Sequence, residues 1–139
     1  MDPVAEELDR RARPVLARLA ALYGEPRVLD IDVRSSGRLS ASLARAYLAE
    51  ARVLVAVPLV GSRHLDEVLV HEVAHIVCHW RHGRTRPHGR EWRALVEEAG
   101  QPARVRLHPD DVRLPPRRRR RSRRRTLWVA ARDYVAALL

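Results

Sequence analysis

A chain of 139 residues with 46% apolar side chains has the length and composition of one globular domain and can bury roughly two-thirds of the surface its unfolded form exposes. A single cysteine, Cys78, excludes an internal disulfide framework and any cysteine-rich zinc finger or ribbon within the chain, so a bound metal has to be held by histidine and carboxylate. The formal charge of +10 comes wholly from arginine, and the absence of lysine, asparagine and phenylalanine points to GC-rich coding rather than to a functional choice of arginine.

The charge is unevenly placed. Residues 1–114 hold 18 Arg against 16 acidic residues, whereas residues 117–125 contain eight Arg in nine positions. No apolar stretch reaches the ~20 residues needed to cross a bilayer. Glu6, Glu7 and Asp9 stand where a secretory signal would be basic and then apolar, so a cytoplasmic protein is expected. Three segments follow from this: a domain over 1–114, a Pro/Arg-rich basic linker over 115–125, and an amphipathic helix over 126–139.

In chain order, Val4, Leu8, Val15, Leu16, Leu19 and Leu22 recur at helical spacing behind Pro3, with Pro14 expected to kink or divide the helix. Tyr23-Gly24-Glu25-Pro26 closes it. The period then changes to two. Val28, Leu29, Ile31 and Val33 read as a first strand, residues 43–48 as a second and 53–57 as a third, with Ser35-Ser36-Gly37 as a turn and a break near Ala49-Glu50. Together they suggest a small antiparallel meander. Pro58 ends the third strand, and Gly61-Ser62 offers an N-cap to a helix over 63–82 whose Asp66 and Glu67 complement its dipole. Gly83 stops that helix. A second is expected from about Pro87, turning Trp92, Leu95 and Val96 inward and ending at Gly100-Gln101-Pro102.

His71-Glu72-Val73-Ala74-His75 lies within the first of these two helices. One helical turn separates the two imidazoles, which therefore share a face and can clamp one ion, with a carboxylate beside them. Zn2+ suits neutral imidazole nitrogens and keeps one position for water, which Glu72 would deprotonate as general base. The blander alternative is a surface helix that carries two His and a Glu by chance. A third ligand decides the class. His79 lies eight residues from His71, about 12 Å along the axis, too far to share an ion with both partners. Arg81 and Cys78 occupy the positions where the long metzincin signature has His and Gly. His88, across the Gly83 turn, is the favoured third ligand, and Glu91 the competing one.

This pattern resembles a known family. His71-Glu72-Val73-Ala74-His75, then His88-Gly89-x-x-Trp92 thirteen residues on, with Gly100 closing the following helix, is similar to the SprT-like (Spartan-type) zinc metalloprotease domain, and the likeness extends over residues 4–101. The resemblance implies an α+β, zincin-like domain of minimal gluzincin type. It implies His71, His75 and His88 as zinc ligands, Glu72 as general base and Trp92 as a packing residue beside the site. Many such proteins add a cysteine zinc ribbon, which Cys78 alone cannot form, so substrate recognition stays open.

The remaining candidates have duller readings. His64, His79 and His82 share the site helix and are left unassigned, His79 being the best placed to steady substrate; His108 falls in a loop, and Cys78 reads as a small buried thiol. Arg117, Arg118, Arg119, Arg120, Arg121, Arg123, Arg124 and Arg125 repel one another, a repulsion that a polyanion would relieve through counterion release. DNA or RNA is the expected partner, contacted at phosphates without base preference, against the alternative of a solvated tail. Leu127, Trp128, Val129, Tyr134, Val135, Leu138 and Leu139 would dock on the domain or a second copy, although an anionic lipid surface also fits.

The functional expectation is a zinc metallopeptidase acting on protein or peptide substrates, with DNA-associated or DNA-crosslinked proteins as what the resemblance implies. Two rivals remain: a non-enzymatic nucleic-acid-binding protein, and a metal-dependent hydrolase of a non-peptide bond.

Overall fold

The structure, a computed structural model, describes residues 2–39 and 42–105. Its order is α1 (Pro3–Tyr23), a 3-10 turn (Pro26–Asp30), β1 (Asp32–Ser36), β2 (Ala44–Tyr47), β3 (Arg52–Ala56), α2 (Val57–Val60), α3 (Leu65–His82) and α4 (Arg90–Glu98). The expected class, α+β, holds. The basic linker, the expected helix over 126–139 and His108 lie outside the described residues.

The Asp2 side chain accepts from the Val4 N–H at 3.0 Å and caps α1, which runs unbroken for 21 residues. Pro14 therefore does not divide the helix. It sits on the exposed face, where the carbonyl deprived of its N–H partner can turn to water. The opposite face buries Leu8, Ala12, Val15, Leu16, Leu19 and Tyr23.

The antiparallel meander expected from sequence is corrected to a mixed sheet of order β1-β3-β2. β2 pairs antiparallel with β3 through the turn at residues 48–51, as expected for neighbours in sequence. β1 pairs with β3 in parallel, Val33 opposite Val53 and Ser35 opposite Val55. The chain thus passes from one edge of the sheet to the other before returning to its centre, and the central position suits β3, whose Val53 and Val55 are fully buried. The start of the first strand also moves. Pro26 opens a 3-10 turn that buries Val28 and leaves Leu29 exposed, so these adjacent apolar residues mimic a strand without forming one.

β3 ends at Ala56 and Pro58 enters a single helical turn, α2. Ser62 does not cap α3 directly. Its hydroxyl accepts from the His64 N–H at 3.1 Å, and its carbonyl accepts from Arg11, which also binds the Val60 carbonyl, so α3 starts at Leu65. Leu65, Val68, Leu69, Val70, Val73, Ala74, Ile76, Val77 and Cys78 of α3 are buried. This is a core helix. It packs against β2, β3, α1 and α4, while α1 packs against β1. Such a two-layer arrangement leaves only one partly open stripe on α3, the one that carries His71 and His75. No helix among the described residues is long and apolar enough to cross a membrane.

Candidate metal centre

His71 and His75 face the same way because α3 is regular through them. His88 reaches them by a different device. Pro87 fixes its own φ near −65°, His88 adopts φ 54°, and the Gly89 N–H donates to the Arg86 carbonyl at 2.9 Å. A fixed negative φ followed by a positive one, closed by that bond, is the pattern of a type II turn, whose third position ordinarily favours glycine. Here a histidine holds it, in a conformation that costs a non-glycine residue about 1–3 kcal/mol and persists because its surroundings enforce it. Gly89 is equally constrained. A Cβ there would stand 2.9 Å from the Arg86 carbonyl oxygen and 3.1 Å from the Arg86 Cβ. This turn delays α4, which starts at Arg90 rather than near Pro87.

The three rings converge. His71 Nε2 lies 3.2 Å from His75 Nε2 and 3.2 Å from His88 Nε2. Among the described residues, these three form the group whose ligand atoms could hold a metal ion, all within 4.8 Å of one another. Nitrogens at 2.0–2.1 Å from a tetrahedral Zn2+ would be separated by about 3.3 Å, so the donor set fits such an ion. Glu91 is not in this group. Its carboxylate lies instead toward Gly89 and Cys78, where it helps burial to raise the thiol pKa. His64, His79 and His82 are likewise outside it.

Burial keeps the rings neutral, with lone pairs available to a cation. It pushes His71 down to about 4, against a hydrogen bond to the Arg104 backbone that works the other way. His75 is driven well below its ordinary value by burial and then by the neighbouring His71 and His88. His88 falls to about 3, through burial first and then the charges of His71 and Arg93.

Trp92 forms the floor of the cluster. At 1% exposure it stacks on His75 with centroids 5.4 Å apart, meets His71 and His88 edgewise at 4.8 and 4.4 Å, and donates its indole N–H to the His71 carbonyl at 3.1 Å. The packing role implied by the resemblance is thus where the indole sits. The turn at Arg86–Gly89 and the Arg104 contact were not found by sequence reasoning. Pro87-His88-Gly89 carried a signal for the first, since Pro and Gly flank a turn; nothing at position 104 signalled the second.

Glu72 is partly buried beside the two helical ligand candidates. Cys78 is a buried free thiol, with its sulfur 3.4 Å from the Thr85 hydroxyl.

Comparison with known proteins finds local similarity to curated bacterial SprT proteins. Protein SprT of Vibrio parahaemolyticus is 54% identical over 33 residues, which cover 24% of this chain and 20% of that protein. Protein SprT of Yersinia pseudotuberculosis is 40% identical over 48 residues, 34% of this chain and 28% of its own length. Protein SprT of Pectobacterium carotovorum is 52% identical over 33 residues, 24% of this chain and 19% of that protein. The matched stretches therefore span between about a fifth and about three-tenths of these curated relatives. No solved structure matches. The family model described as SprT-like matches residues 12–116, from α1 past the last described residue, and with the histidine cluster in that span the chain belongs to the SprT-like family.

Proposed function

We propose that this chain is a zinc-dependent metallopeptidase of SprT-like type. The observation that supports it is the convergence of three neutral imidazoles next to Glu72, with the His71 nitrogen 3.2 Å from those of His75 and His88 and all three within 4.8 Å of one another. His71, His75 and His88 would hold the ion. When bound, zinc supplies Lewis acidity, polarising a substrate carbonyl and making a water molecule more acidic. Glu72 accepts the proton that water gives up as it attacks the peptide carbonyl, then returns it to the departing amine. Trp92 and the turn at residues 86–89 keep the rings in place, so the site needs little rearrangement on binding.

The substrates in this reading are proteins held on or crosslinked to DNA. The eight Arg of residues 117–125 support that assignment, because such charge density binds phosphates without base preference.

The test is digestion of a DNA-binding protein with and without single-stranded DNA, alongside metal analysis. Wild type should carry one zinc per chain and cleave faster with DNA. Glu72→Gln should keep the zinc and lose at least about a hundredfold in rate, the lower end of what a general base contributes. Undiminished proteolysis by that variant refutes the role of Glu72. Salt-sensitive DNA binding with neither metal nor hydrolysis would instead favour a nucleic-acid-binding module, the reading that the Arg run supports on its own.

A further inference from the structure

Glu67, His71 and His75 recur at four-residue intervals along α3 and so form one stripe. The chain leaving α4 returns to it. Gly100, at φ 80°, donates its N–H to the Glu97 carbonyl at 2.9 Å, and Gln101 donates to the Val96 carbonyl at 3.2 Å. These paired bonds are a Schellman closure, and the left-handed conformation it requires is open to glycine. Ala103 then packs on the core, and the Arg104 N–H donates to the Pro102 carbonyl at 2.9 Å.

Arg104 touches the stripe twice. Its guanidinium donates to both Glu67 carboxylate oxygens, Nε to Oε1 at 2.6 Å and Nη2 to Oε2 at 2.7 Å. The Glu67 side chain is only 14% exposed, which sets this two-point pair apart from an ordinary surface contact. The backbone of Arg104 also hydrogen-bonds to the His71 ring, and because its N–H is already given to the Pro102 carbonyl, the group that accepts is the Arg104 carbonyl. Because His71 Nε2 already faces His75 and His88, this bond falls to Nδ1. A proton held on Nδ1 leaves the Nε2 lone pair directed at the centre of the cluster.

We propose that Glu67 and Arg104 are positioning residues for the metal centre: their ion pair pins residues 101–105 across α3, so that the Arg104 carbonyl fixes the tautomer and orientation of His71. The inference rests on the metal-centre reading above and deepens it. Outer partners of metal-bound histidines commonly change affinity by about 10–100-fold when removed.

The test compares full-length wild type with Glu67→Gln, Arg104→Gln and Arg104→Lys. Zinc affinity is read by chelator competition, coordination by the visible spectrum of the cobalt-loaded protein, and the His71 tautomer by ring-nitrogen NMR of the metal-free protein. The two glutamine variants should bind zinc about tenfold or more weakly, with an altered cobalt spectrum and faster exchange of the His71 Nδ1 proton, and metal-free thermal unfolding measures separately the stability lost with the ion pair. Arg104→Lys should recover part of the loss, because it keeps the charge but not the two-point geometry. Variants within twofold of a zinc-binding wild type, with unchanged His71 resonances, would overturn the clamp alone. A wild type that binds no zinc would overturn the metal-centre reading and this inference with it.

Discussion

His71 and His75 are presented by the middle of a buried, regular helix, whereas His88 is presented by a four-residue turn with one backbone angle in the left-handed region. The two arrangements reach the same distance, 3.2 Å from the His71 nitrogen, by opposite means. Periodicity puts the first pair on one face of α3, and the core on the other side of the helix holds that face in place. The third ring is aimed by local stereochemistry: Pro87 sets one angle, Gly89 leaves room for the Arg86 carbonyl, and Trp92 supports the ring edgewise. A metal centre built this way should be robust on one side and sensitive to small backbone changes on the other.

The strongest way to break the comparison is to remove the third ring. His88→Ala should weaken zinc binding by at least about a hundredfold, since each ligand carries a large share of the total. Glu91→Ala should leave binding close to wild type, because its carboxylate lies outside the histidine group. Chelator competition on both variants measures this, and the reverse ranking would assign the third ligand to Glu91.

A smaller perturbation sharpens it. Gly89→Ala introduces a methyl group 2.9 Å from a backbone oxygen, although φ −74° and ψ −171° are open to alanine. The variant should lose about 1–3 kcal/mol of stability through overpacking. It should also bind zinc several-fold more weakly, because Arg86, against which the methyl group pushes, closes the turn that carries His88. Thermal unfolding and zinc competition on the same preparation separate the two effects, and lost stability with unchanged affinity would show that the turn does not aim the ring.

The gentlest probe is pH. In the unfolded chain the three histidines titrate near 6.5, whereas in the fold His71 is held at about 4 and His88 at about 3, with His75 also lowered. Above pH ~6.5 neither state takes up these protons and stability is at its full value. As the pH falls below that, the unfolded chain binds protons that the folded rings refuse, so the metal-free protein loses stability between about 6.5 and 4. Each ring contributes at most about 1.4 kcal/mol per pH unit, and partly exposed His88 less. Urea unfolding at pH 7, 6 and 5 should show this slope, and His71→Gln should flatten it; equal slopes would place the effect elsewhere.

The sequence made α3 legible because its stop signal, its apolar faces and its paired histidines all agree on one helix. Trp92, Leu95 and Val96 were legible as the inner face of α4 for the same reason of periodicity. Strand order was not. Turn residues report which strands are adjacent in sequence, and the parallel pairing of β1 with β3 depends on contacts that no local pattern encodes. Val28 and Leu29 misled because adjacent apolar residues suit a strand as well as a 3-10 turn with one side buried. At the site, the His88-Gly89 pair was visible as a motif, yet its reason appears only when the Arg86 carbonyl is seen against the missing Cβ. Arg104 was one arginine among many until the fold brought it back to Glu67.

Tyr23 ends α1 by binding both α3 and α4: its hydroxyl donates to the Leu95 carbonyl at 2.6 Å, and its own carbonyl accepts from Arg81. The opening helix is thus a brace for a corner built from residues far along the chain. A peptide cut down to residues 65–98 would keep every imidazole of the cluster and lose the partner of the Leu95 oxygen. A transplant of the motif into another scaffold would have to provide a substitute strut as well as the histidines.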